Sequence, residues 1–204
     1  MIQDPLEQQG AAGHGQRAWT HSAVRMRVMG LAGWSGAGKT TLLDRLIPEL
    51  IARGLRVSTL KHAHHNFDIV HPGTDPARLR EAGANEVLAV FPGRWALTHE
   101  LRDDAEPPLP KLLERMARVD LVLIEGFKRD AHPKIEIYRQ ANAKPPLHPY
   151  DNSIVAVAAD IALPGIAIPV YHLDDIPGIA ELVQTRSVPV ESVEWFHRPD
   201  DRES

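Results

Sequence analysis

The sequence predicts an α/β fold, a mainly parallel sheet flanked by helices. Short apolar runs alternate with helical repeats along most of the 204 residues, as successive βαβ units require. The stretch Gly33-Trp34-Ser35-Gly36-Ala37-Gly38-Lys39-Thr40 joins the first run to the first repeat and fills every fixed position of G-x-x-x-x-G-K-[ST]. Pro92-Gly93 lies between two further β-prone runs, which adds an antiparallel hairpin extension.

The elements follow in order. Val28 to Ala32 is a short apolar strand, and the glycine-rich turn leads into a helix from Thr41 to Ala52. Leu42, Leu43, Leu46, Ile47, Leu50 and Ile51 form its apolar face. Pro48 removes the bond to the Asp44 carbonyl, so a kink is expected there. Gly54 caps the helix, and Leu55 to Leu60 is the second strand. The His-rich stretch Lys61 to Asp75 reads as a loop, followed by a short helix to Gly83 with Asp75 as N-cap and Pro76 in its first turn. Glu86–Phe91 and Trp95–Leu101 make the hairpin, and the prolines at 107–110 introduce a helix through Met116. Val119–Ile124 is almost continuously apolar, as for a strand buried on both faces. Strands Ile135–Tyr138, Ile154–Ala158 and Ile168–Tyr171 follow, with a proline-rich loop over 144–152, and the last helix spans Ile176–Val183.

Strand, glycine turn and helix together make an anion site, because main-chain N–H groups converge at a helix N-terminus. The fold expected is therefore P-loop NTPase-like and its ligand a nucleoside triphosphate. Gly33, Gly36 and Gly38 let the backbone approach phosphate oxygens. Lys39 supplies charge to the β- and γ-phosphates, and the Thr40 hydroxyl is a ligand for Mg²⁺. Ligands of a parallel sheet bind at the strand carboxyl ends. Glu125 ends the Val119–Ile124 run on that edge, so it is either the acid that serves Mg²⁺ and an attacking water or an exposed loop acid. Asp120 stands at the wrong end of the same strand. Lys61, His62, His64, His65 and His71 read as a polar loop near the phosphates or, more sharply, as a transition-metal site. Arg78 and Arg80 are phosphate contacts or a solvated helix face. Asp160 follows Val155-Ala156-Val157-Ala158-Ala159; a carboxylate there accepts from guanine N1–H and N2–H₂, or serves as a turn residue. The Asn and Lys that usually precede such an aspartate are missing.

Composition narrows the classes. A net charge of -4 and 43% hydrophobic content describe a globular chain rather than a dedicated nucleic-acid binder. With no cysteine, disulfides and thiolate chemistry are excluded and a reducing compartment is compatible. No apolar run reaches the length of a membrane helix, and the Gln-, Gly- and His-rich start lacks the apolar core of a signal peptide. The ordered domain is expected over 26–185, beginning at Met26, with a disordered tail over 1–25 and a C-terminal tail over 186–204 whose Trp195 and Phe196 pack back or meet a partner.

Beyond the phosphate loop, Lys61-His62-Ala63-His64-His65, Gly73-Thr74-Asp75, Glu81-Ala82-Gly83-Ala84, Glu125-Gly126-Phe127-Lys128, Pro133-Lys134-Ile135-Glu136 and Ala156–Asp160 occur in series. Over residues 26 to about 185 this series resembles the molybdopterin-guanine dinucleotide biosynthesis protein B family. The resemblance implies a cytoplasmic homodimeric adaptor that binds GTP with Mg²⁺ and hydrolyses it slowly. It implies assistance to the guanylyltransferase that joins GMP to molybdopterin, with molybdoenzymes as further partners and no nucleic acid or membrane. By the same likeness Gly33, Trp34, Ser35, Gly36, Ala37, Gly38, Lys39, Thr40 and Thr41 hold the phosphates, Lys39 and Glu125 are catalytic, and Thr40 and Glu125 hold the metal. Lys61, His62 and Lys128 line the cleft, and Pro76 departs from the small hydroxyl residue expected after Asp75. Two rivals stay open: a small-molecule kinase with Arg94 and Arg102 in a lid, and a GTP-dependent nickel metallochaperone using His64 and His65.

Overall fold

The computed structural model describes residues 25–63 and 73–194. Expectations for the N-terminal tail, His64, His65, His71, Trp195 and Phe196 lie outside the described residues. In chain order the elements are β1 (Arg27–Ala32), α1 (Lys39–Ala52), β2 (Val57–Lys61), α2 (Asp75–Glu81), β3 (Glu86–Phe91), β4 (Arg94–His99), α3 (Leu109–Glu114), β5 (Leu121–Glu125), β6 (Lys134–Tyr138), β7 (Ile154–Ala159), β8 (Val170–His172), α4 (Ile176–Arg186) and β9 (Val188–Pro189). The main sheet runs β2-β5-β1-β6-β7-β8, and every neighbour on that path is parallel. β3 and β4 form a separate antiparallel pair.

The start of β2 and the N-cap of α2 differ from expectation for local reasons. β2 begins at Val57 rather than Leu55, because Gly54 N–H bonds to Ile51 O and Leu55 N–H to Leu50 O, closing the end of α1. The N-cap of α2 is Thr74 rather than Asp75: Arg78 N–H takes the Thr74 carbonyl at 3.0 Å, leaving Asp75 as the acid of the first turn. α1 continues through Pro48.

Among the strands, β5 begins at Leu121, since Asp120 is turned to meet Arg56. β8 starts after Pro169, whose carbonyl accepts from Val157 N–H. Residues 188–190 are also part of the fold. β9 lies antiparallel to Arg27 and Val28, and Val190 N–H donates to Met26 O.

Alternation along the strands builds the core. Met29 and Leu31 of β1, Leu121 and Leu123 of β5, and Ile135 and Ile137 of β6 face α1 and α4. Val28, Val122 and Ile124 point the other way, against Met26, Leu109 and Leu113. On β6 that second face carries charge: Lys134 and Glu136 are each 1% exposed. Lys134 Nζ donates to Asp130 O at 2.6 Å and pairs with Asp151 at 3.3 Å and with Ser153. Glu136 accepts from Leu147 N–H at 2.6 Å and His148 N–H at 2.9 Å. Buried charge is tolerated when its bonds are filled. These bonds fasten the 144–153 loop across the sheet.

His132 is fully buried under Gly30, where an added Cβ would lie 2.5 Å from its Nε2. Burial first, then the neighbouring Lys134 charge, push its pKa from 6.5 down to about 3. The native state therefore stays neutral in a window where the unfolded chain binds a proton. Stability falls as pH drops through that window, by about 1.4 kcal/mol per pH unit from this residue. Urea unfolding from neutral to mildly acidic pH is expected to show this slope, and His132→Gln to flatten it.

Candidate functional site

The loop between β1 and α1 stands at the carboxyl edge of the sheet, beside the ends of β5 and β6. Its shape depends on glycine at two positions. Gly33 has φ +146, and a Cβ there would meet Ile137 O at 2.7 Å. Gly38, with φ +92, is the N-cap of α1 and lies against the Arg139 side chain. Within the loop Ala37 N–H bonds to Trp34 O at 3.2 Å. Thr40 and Thr41 are exposed in the first turn of α1, and Ser35 and Gly36 are exposed at the loop crest.

Lys39 opens α1, and its Nζ donates back to Gly33 O at 2.9 Å and Trp34 O at 3.0 Å. Its pKa is lowered, chiefly by burial; Glu125 acts against that shift, while Lys128 and Lys61 add to it. Three lysines thus converge on one loop with a single carboxylate among them.

Glu125 is the last residue of β5, in register with Leu31 of β1 and Lys61 of β2. Its carboxylate pairs with Lys61 Nζ at 3.4 Å and is the more buried partner, at 13% side-chain exposure. Thr40 and Glu125 offer the hard oxygen donors that Mg²⁺ takes. Asp120, at the far end of β5, is bound to Arg56.

Next in the chain, Gly126 admits close packing, since a Cβ would come within 2.6 Å of His62 Cβ. The His62 ring stacks on Phe127 at 4.8 Å and pairs with Glu106 at 2.9 Å. Its main-chain N–H bonds to Glu125 O at 2.8 Å. Lys128 Nζ stands 5.6 Å from the centre of the Trp34 ring, within cation–π range.

Asp160 follows β7, two strands across from β1 on the side away from Glu125. Its Oδ1 accepts from Gln140 N–H at 3.0 Å. Arg78 pairs with Asp75 at 3.9 Å and Arg80 with Glu100 at 3.5 Å. Arg94 lies over Phe91, and Arg102 binds Asn85 and Ala84. These four arginines thus engage α2 and the hairpin. Among the described residues no cluster of three or more His, Asp or Glu side chains could hold a metal ion.

One part of the site escaped the sequence reading. The segment after β6 braces the loop from the β7 side: Arg139 Nε donates to Ala37 O at 3.1 Å and Asn142 Nδ2 to Ser35 O at 3.3 Å. Further along, Trp34 Nε1 donates to Pro145 O at 2.8 Å, and Lys144 lies 5.8 Å from the indole centre. No motif marks these residues. Only the adjacency of β6 to β1 brings them in.

Comparison with known proteins identifies the family. The family model described as molybdopterin guanine dinucleotide synthesis protein B matches residues 28–160. The Escherichia coli (strain K12) molybdopterin-guanine dinucleotide biosynthesis adapter protein is 38% identical over 174 residues, covering 84% of this chain and 94% of its own length. The Haemophilus influenzae protein of the same description is 41% identical over 176 residues, covering 83% and 89%.

Solved structures are alike in fold. The MobB protein homolog from Bacillus stearothermophilus superposes with TM-score 0.58 at 28% identity, covering 78% of this chain and 99% of that one. A crystal structure of molybdopterin-guanine biosynthesis protein B gives 0.62 at 25% identity, covering 78% and 98%. On a family match to more than half of its length, and on relatives above 30% identity across most of it, this chain belongs to the molybdopterin guanine dinucleotide synthesis protein B family.

Proposed function

We propose that this protein is a GTP-binding adapter in molybdopterin guanine dinucleotide formation, holding GTP–Mg²⁺ on Gly33–Thr41 beside the guanylyltransferase that uses it. The observation that carries the reading is the convergence of Lys39, Lys61 and Lys128 on a glycine-shaped loop, with Glu125 on the neighbouring strand. Four amino-acid charges of that mix suit a polyphosphate and one divalent cation. Lys39 would exchange the Gly33 and Trp34 carbonyls for phosphate oxygens. Thr40 and Glu125 would hold Mg²⁺, which supplies charge neutralisation on the phosphates. Asp160 would meet the guanine edge. Hydrolysis on this site is slow, and the partner enzyme carries the nucleotidyl transfer.

The same reading covers assembly and location. Leu88, Val90, Trp95 and Leu97 are 59%, 74%, 67% and 46% exposed, and the register pairs Leu88 with Leu97 and Val90 with Trp95. They therefore share one face of the hairpin, an apolar patch of the kind that marks a protein contact. A second copy of this chain is the partner that the proposed homodimer requires. Among the described residues no helix is long and apolar enough to cross a membrane, and the adapter is proposed to work in the cytoplasm.

Lys39→Ala is expected to weaken GTP binding by about 10–100-fold, the worth of a hydrogen bond to a charged group, with the fold unchanged by circular dichroism. Calorimetry reads a second sign. The bound polyanion raises the depressed Lys39 pKa, so at alkaline pH binding takes up protons in wild type and not in the variant. Glu125→Gln is expected to reduce the gain in GTP affinity on adding Mg²⁺ while sparing the affinity measured in chelator. Val90→Asp with Trp95→Asp is expected to yield a monomer by sedimentation equilibrium; a retained dimer removes the hairpin from the interface.

A further inference from the structure

We infer that the turn after β6 forms the nucleoside-side wall of the proposed triphosphate site, with Arg139 as the residue that positions the purine base. The inference rests on that triphosphate reading and adds a residue that no sequence motif assigns.

The direction of the ligand comes from the sheet order. Glu125 and Lys61 end β5 and β2, on one flank of β1. A triphosphate whose metal-bearing end lies toward Glu125 leaves the loop on the other flank, toward β6 and β7. What stands there is Arg139, Gln140 and Asn142, followed across the edge by Asp160.

Arg139 occupies a constrained place. In an anion-binding loop the amides turn inward and the carbonyls outward; Arg139 Nε takes such a carbonyl, Ala37 O, at 3.1 Å. A Cβ added at Gly38 would lie 3.0 Å from Nε, 3.3 Å from Nη2 and 3.6 Å from Cζ, so the Nε–Nη2 edge of the guanidinium meets the entrance to α1 and Nη1 points away from it. The side chain is half-buried, and among the described residues neither terminal nitrogen makes a hydrogen bond.

A planar cation held through one edge has a fixed plane, and the face of such a plane is what an aromatic base stacks on. The adjoining Gln140 N–H already orients Asp160 through Oδ1. Stacking surface and hydrogen-bonding carboxylate are thereby joined through one peptide. Arg139 stands just after β6, beside the phosphate loop.

The test titrates full-length wild type, Arg139→Ala and Arg139→Lys with GTP and, separately, with inorganic tripolyphosphate, both with Mg²⁺. Thermal unfolding of each variant checks that it is folded. Arg139→Ala is expected to weaken GTP about tenfold and leave tripolyphosphate within about twofold. Arg139→Lys keeps the charge but not the plane, and is expected to stay weak for GTP. Equal losses for both ligands would reduce Arg139 to a brace of the loop and overturn the inference, as would full GTP affinity in Arg139→Ala. A wild-type protein that binds neither ligand rejects the triphosphate site itself, an outcome distinguishable from either of those.

Discussion

The main-chain ladder that seats β1 between β5 and β6 is the constraint on which the rest of this structure depends. It pairs Leu31 with Glu125 on one side and Ala32 with Glu136 on the other. The phosphate loop leaves β1 at the next residue, so its two walls are whatever follows β5 and β6. Glu125-Gly126-Phe127-Lys128 is one wall and Arg139–Asn142 the other. Parallel pairing fixes this through backbone bonds alone. Side chains then decide only what chemistry each wall carries.

Those side chains are arranged against their own comfort. Lys61 and Lys128 both act against the charge of the partly buried Lys39, and Glu125 acts in its favour. Lys39 donates to two carbonyls of the loop it serves. Such a bond is modest in net worth when water or an anion can replace it. The arrangement is a site poised for negative charge, with its structural cost offset by the buried packing of β1, β5 and α1 beneath it.

Much of this was legible in the sequence because the signals were local. Gly33 to Thr40 announced a strand, turn and helix through residue type and spacing, and the carboxyl-edge rule put Glu125 beside them. Local signals were less good at boundaries. Leu55 has strand-like neighbours yet finishes the cap of α1, and Asp120, inside an apolar run, is turned to meet Arg56. Non-local pairing was not legible at all. Val188 and Pro189 carry no pattern that says they clasp β1, and nothing in Arg139 or Asn142 says they touch a loop a hundred residues upstream. Lys134 and Glu136, on an otherwise apolar strand, contradicted the core pattern; the 144–153 loop that satisfies them shows why they are tolerated.

The position of β1 has a consequence for biogenesis. Every strand that hydrogen-bonds to it comes from residue 121 or later, and β9 comes near the end of the described chain. As the polypeptide emerges from the ribosome, the Gly33–Thr40 segment is therefore made early and shaped late. It waits, without partners to hold its strand, while roughly half the protein is still being synthesised.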